Sequence, residues 1–92
     1  MYPERKVKVF KLFVARIPTA MTNQTLFEIF AKFGDVHSAV VSINTLSGES
    51  QGCGYVEMEH QGEAQIAIKG LDGSLIEGRN IGVSFAVTKR RS

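Results

Sequence analysis

The chain has no tryptophan, only two prolines and a single cysteine in 92 residues. Cys53 alone cannot close an internal disulfide, so stability must come from a packed core, and nothing points to an oxidising, secretory setting. Long apolar runs are also missing. The uninterrupted stretches are a few residues each, far short of the ~20 that a membrane-spanning helix needs. Residues Met1 to Lys11 are charged and contain no apolar segment of the kind that opens a secreted protein. Internal repeats, low-complexity tracts and interdomain linkers are absent as well. An intracellular domain is the expectation, with nucleus and cytoplasm both open.

Positive charge is scarce in the middle of the chain. Residues 12–86 hold four basic groups, Arg16, Lys32, Lys69 and Arg79, against eight acidic ones. The surplus lies at the two ends. Arg5, Lys6, Lys8 and Lys11 face only Glu4, and Lys89, Arg90 and Arg91 face no acid at all. The net charge of +2 therefore conceals an acidic body between two basic flanks. Attraction to a polyanion must come largely from those flanks.

What is present is the composition of an ordinary folded domain: 43% hydrophobic and 22% charged residues, too apolar for a disordered segment. A chain of this size supports one modest core. The division expected is a basic N-terminal flank over residues 1–10, a folded domain over 11–87 and a basic tail over 88–92.

Lys8 to Ala15 is rich in strand-forming residues and runs into Ile17-Pro18, a stop signal. Thr22 has the place of a helix N-cap. Leu26, Ile29, Phe30 and Phe33 follow at the spacing of one helical face, with Met21 and Leu26 at the positions of a hydrophobic staple. Thr25 stands where a capping box would have an acid, and Gly34 is expected to close the helix as its C′ residue. Val36 to Asn44 alternates as a second strand, with Ala39, Val41 and Ile43 on one side and Val40, Ser42 and Asn44 on the other. The turn-rich stretch from Thr45 to Ser50 leads to a third strand over Gly52–Met58. Ala64, Ala67, Ile68 and Leu71 mark a second helix that ends near Asp72-Gly73. Leu75 to Arg79 suggests a small hairpin, and Asn80 to Val87 a last strand. Strand, helix, strand, strand, helix, strand, joined by right-handed crossovers, predicts an α+β ferredoxin-like sandwich. It has a four-stranded antiparallel sheet with two helices on one face and the other face free.

The third strand, Gln51-Gly52-Cys53-Gly54-Tyr55-Val56-Glu57-Met58, resembles the octamer of the RNA recognition motif family, with Gly52, Gly54, Tyr55 and Val56 matching. Leu12 to Ile17 resembles the companion hexamer. The likeness runs from about Lys11 to Ala86 and includes Phe33-Gly34, Leu71-Asp72-Gly73 and the Gly78-Arg79 turn. The variant octamer with Gly-Cys is similar to that of some CUG-binding/Bruno-like members. Alternation sends Leu12, Val14, Gly52, Gly54, Val56 and Met58 toward the helices and leaves Phe13, Gln51, Cys53, Tyr55 and Glu57 on the open face. The glycines on the helix side are expected to permit close approach of the helices.

The resemblance implies a domain without catalytic activity or cofactor, binding single-stranded RNA by stacking bases on Phe13 and Tyr55. Cys53 and Gln51 would line the platform, Arg16 would contact backbone or base, and Ser84 would offer a hydroxyl. Lys11, Lys89, Arg90 and Arg91 would supply charge. The last strand ends beside the start of the first in this topology, so the basic flanks are expected to converge at one edge and hold phosphates, or to serve as solubilising tails. Three positions depart from the pattern. Gln51 replaces a basic residue, Cys53 an aromatic one, and Arg16 the usual Asn, so stacking is expected to be thinned and affinity moderate.

The alternative is an interaction domain of a ribonucleoprotein complex. Phe27 and Ile66 lie on the helices just off the core stripe and would form its protein interface, unless they are scattered surface apolar residues. A monomer is expected. Cys53, His37 and His60 lack metal-ligand spacing, so no metal is expected. Gly52-x-Gly54 has Glu57 where a dinucleotide-binding loop needs its third glycine.

Overall fold

The computed structural model describes residues 9–86. The elements in order are β1 (Phe10–Ala15), α1 (Asn23–Ala31), β2 (Val36–Ile43), β3 (Ser50–Met58), α2 (Gln61–Leu71), β4 (Leu75–Ile76), β5 (Arg79–Asn80) and β6 (Gly82–Phe85). Four strands make one antiparallel sheet in the order β2-β3-β1-β6, and β4 pairs with β5 in a separate hairpin. This is the ferredoxin-like sandwich that the element order predicts.

Period-two alternation builds the core side of the sheet. Leu12 and Val14 of β1, Val56 and Met58 of β3, Val41 of β2 and Val83 of β6 are all buried. They meet Leu26 and Phe30 of α1 and Ala64, Ala67 and Leu71 of α2. Each large side chain removed from water this way contributes about 1.5–3 kcal/mol. Both helices therefore cover one face, and the other face is free.

Local signals explain where α1 begins. The Thr22 side-chain oxygen accepts a hydrogen bond from the Thr25 N–H at 3.1 Å, which satisfies one of the helix's unpaired donors. Met21 and Leu26 are both buried, as a hydrophobic staple requires. The end of α1 differs from the expectation. Lys32 is the C-cap, so Gly34 lies one position beyond C′. Gly34 is needed there for space, because a Cβ at this position would collide with the Glu63 side chain. That carboxylate accepts a hydrogen bond from the Asp35 N–H at 2.9 Å and pins the α1–β2 connection to the first turn of α2.

The two octamer glycines play different parts. A Cβ on Gly54 would lie 2.7 Å from the Val40 carbonyl oxygen and 3.2 Å from Leu26 Cδ2, so this glycine does permit close packing of α1 on the sheet. Gly52 has open space around it and φ +79°, so its role is conformational: it turns the backbone so that its carbonyl can accept from the Ile17 N–H. The register of β2 against β3 shifts between Val41 and Ile43. Ile43 is consequently exposed, whereas Val41, its partner by alternation, is buried.

The last strand is shorter than its residue types suggest. Asn80 belongs to the hairpin, and Ile81 leaves the sheet because its N–H and C=O are paired with Ser74 and Gly73 after α2. The hairpin turn, Glu77-Gly78, has positive φ at both residues (50° and 84°), the arrangement of a type I′ turn.

Candidate nucleic-acid interface

Directly paired residues of neighbouring antiparallel strands point to the same side. Val40, Tyr55, Phe13 and Ser84 therefore form one row across the open face, spanning all four strands of the sheet. The Phe13 and Tyr55 ring centroids are 5.4 Å apart, with planes tilted by 54°. Tyr55 is 39% exposed, a large apolar ring left in water on an otherwise well-packed domain. The Lys11 ammonium lies over that ring, 4.9 Å from its centroid, a contact worth about 0.5–1 kcal/mol at an exposed site.

A second row, Ser38, Glu57 and Lys11, flanks the aromatic pair toward the start of β1. Glu57 accepts a hydrogen bond from the Ser38 hydroxyl at 3.0 Å, which fixes its carboxylate on the face. Toward the other end, Cys53, Ala15 and Gly82 form a row of small residues in which Cys53 is half-buried. Beyond it, the Gln51 side-chain oxygen accepts from Ser42 at 2.7 Å. This couples Gln51 to the edge strand β2.

Arg16 reaches this face by a route that alternation does not supply. Strict alternation from Phe13 and Ala15 would send Arg16 toward the helices. Its φ of 58° instead puts it in the left-handed region, and its guanidinium crosses β6. The Arg16 Nε donates to the Asn80 carbonyl at 2.9 Å. Its Nη2 occupies the space, 3.0 Å away, where a Cβ of Gly82 would point. Gly82 is thus the residue that makes room for Arg16.

The structure brings Phe13, Tyr55, Lys11, Cys53, Ser84 and Arg16 onto one surface, with Gln51 at its margin. Lys89, Arg90 and Arg91 lie outside the described residues. The Ala86 N–H donates to the Lys11 carbonyl at 2.9 Å, so the two described ends of the domain are side by side. Two residues of this face escaped the sequence reading. Val40, 51% exposed beside Tyr55, was legible from the alternation of β2 once the pairing was known. Arg79, the first residue of β5 and hydrogen-bonded to the Arg16 carbonyl, was noticed only as part of a family landmark.

Phe27 and Ile66 are both exposed, at 40% and 56%, but they line separate depressions. Phe27 borders one with Asn23, Gln24, Glu28 and Ala39. Ile66 borders another with Ile68, Lys69 and Phe85, between α2 and β6. Elsewhere, ligand atoms of Asp35, His60 and Glu63 lie within 4.8 Å of one another at the start of α2. One oxygen of Glu63 already serves the Asp35 N–H, which gives this group a structural role. No described helix is long and apolar enough to cross a membrane.

Residues 12–82 match the family described as RNA recognition motif. The chain is 34% identical to the Arabidopsis thaliana chloroplastic RNA-binding protein CP31B over 97% of its own length and 32% of that protein. It spans about a third of the length of CP31B and of the 28 kDa and 31 kDa chloroplastic ribonucleoproteins of Nicotiana sylvestris. Among solved structures, the second RRM domain of yeast poly(U)-binding protein superposes with a TM-score of 0.79 at 28% identity, covering 89% of this chain and 99% of that one. The Sxl-lethal protein/RNA complex superposes with a TM-score of 0.80 at 26% identity, covering 94% and 55%. A match over most of the folded region, on a sheet with the same two helices behind it, places this chain in the RNA recognition motif family, whose domains bind rather than catalyse.

Proposed function

We propose that this chain binds single-stranded RNA on the open face of its sheet, with bases stacked on Phe13 and Tyr55. The observation that carries the reading is the pair of rings 5.4 Å apart on adjacent central strands, Tyr55 exposed and Phe13 half-buried, on a face that neither helix covers. Lys11 would move from the Tyr55 ring to a phosphate as a base takes its place. Cys53 and Gln51 line the platform, Ser84 presents a hydroxyl beside Phe13, and Arg16 supplies charge at the far end. Two aromatics in place of three, and an acidic Glu57 among them, favour moderate affinity. The proposed setting is processing, stability or translation of messenger RNA, in nucleus or cytoplasm. CP31B, described as chloroplastic, adds an organelle to the compartments in which such a domain can act.

Binding of a randomised pool of short single-stranded RNAs, read by fluorescence anisotropy, tests the platform. Replacing both Phe13 and Tyr55 by Ala should weaken affinity by about 1–3 kcal/mol per lost stack, with the circular dichroism spectrum unchanged. An unaltered dissociation constant in the double variant would sink the platform. A second reading, a protein partner on the helical side, is favoured by the apolar depression that Ile66 shares with Phe85. Backbone amide shifts separate the two: RNA should perturb β1 and β3, a protein partner α2 and β6.

A further inference from the structure

We infer that Arg16 and Arg79 together form a preorganised site for a phosphodiester group, at the end of the sheet face opposite Lys11. That the phosphate belongs to RNA rests on the reading above; the anion site itself rests on the geometry of the two arginines.

Both guanidinium groups are held by their Nε atoms. Arg16 Nε donates to the Asn80 carbonyl at 2.9 Å, and Arg79 Nε donates to the Arg16 carbonyl at 3.4 Å. The Nη donors of both side chains make no hydrogen bond to another described residue, and a guanidinium grips a phosphate with two parallel hydrogen bonds. The two groups line one shallow depression, with Gly78 and Asn80 as the remaining wall and no carboxylate in it. The ion pairs among the described residues involve His37 with Glu59 and His60 with Asp35, so neither arginine is ion-paired with a described acid. Two like charges beside one another without a counter-charge repel, and a bound anion relieves that repulsion.

The fold explains why these two meet. The left-handed conformation of Arg16 throws its side chain across β6, over Gly82. The tight Glu77-Gly78 turn then delivers Arg79 to the same end of the sheet. The face thus has two cationic poles on β1, Lys11 at its start and Arg16 just past its end, separated by roughly 16 Å of strand. The stacking pair lies between them. An RNA strand stacked on the pair would find a cation on either side of the aromatic row, which fixes its position on the platform.

The slope of log K against log salt for a short single-stranded RNA provides the first test. Arg79→Gln should weaken binding several-fold, alike for different sequences, and lower the slope by about 0.7, the value for one lost phosphate contact on a single strand. Arg79→Lys should restore the slope but not the full affinity, since it returns the charge without the fork. A slope unchanged in Arg79→Gln would overturn the inference. Titration of inorganic phosphate, followed by backbone and guanidinium nitrogen shifts, provides the second. Saturable shifts confined to Arg16 and residues 78–80, and lost in Arg79→Gln, support the site even where no RNA binds, in which case only the RNA reading fails. If neither RNA nor phosphate perturbs these residues, the anion site falls, and RNA shifts confined to β1 and β3 would leave the stacking reading standing.

Discussion

At the scale of single residues, the open face is defined by what stands beside its two rings. Cys53 is a small side chain two residues before Tyr55 on the same face of β3, and its neighbours in the row are Ala15 and Gly82. Cys53 and Ala15 rise less far from the sheet than the rings beside them, while the Arg16 guanidinium covers Gly82. Cys53→Phe should therefore add a third stacking surface and tighten binding to single-stranded RNA by about 1–3 kcal/mol, measured by anisotropy against the wild type. Unchanged affinity would mean that bases do not pass over this end of β3. Phe13, Tyr55 and Cys53 were all legible as open-face residues, because strand alternation is a local rule and the octamer marks its own register. Arg16 was legible only as an exception to the family pattern. Its place on the face depends on a left-handed backbone at the end of β1, which no residue-type preference of arginine announces.

At the scale of elements, the sheet and α1 are locked by a contact that tolerates no side chain. Gly54 faces the core between the Val40 carbonyl and Leu26. Gly54→Ala would force a methyl group against backbone, an overpacking that costs about 1–3 kcal/mol. For a domain of this size, each kcal/mol lowers Tm by about 4–8 °C, so a thermal melt followed by circular dichroism reads the effect directly. A melt superimposable on the wild type would show that α1 rides loosely on the sheet. Helix starts, strand centres and the order of elements were readable in advance, since caps, staples and alternation act over a few residues. The element ends were not. Gly34 was expected to end α1 by its own conformation, but Glu63 of a helix nearly thirty residues later decides it. Ile81 interrupts the last strand for the same kind of reason, because Gly73 and Ser74 take its hydrogen bonds.

At the scale of the whole molecule, charge is the property that sequence position and space divide differently. The body is acidic and the flanks basic along the chain, yet the fold sets Lys11 and Arg16 at the two ends of one face, with Arg79 beside Arg16 and Glu57 beside Lys11. On the proposed function, the basic tail contributes sequence-independent attraction to phosphates. Deleting residues 88–92 should then flatten the salt dependence of RNA binding, by up to about 2 in the log–log slope for three lost contacts. A slope identical to that of the full chain would make the tail a bystander. Ala86 lies beside Lys11 near the start of β1 and the arginine pair lies past its end, so on the proposed function the two effects on the slope should add.

The sequence by itself determined the core, the order of the elements, the family and the two rings of the platform. The first two and the placing of the rings follow from patterns that repeat every two or every three to four residues, and the family from the octamer and hexamer motifs; none needs knowledge of what lies across the molecule. Only the tertiary structure decided how the cations are arranged. Arg16 is held by a carbonyl 64 positions away and Arg79 by one 63 positions away. Such a pairing exists only once β6 has closed against β1, because the hydrogen bonds that aim these side chains are made between backbones that meet nowhere but in the fold.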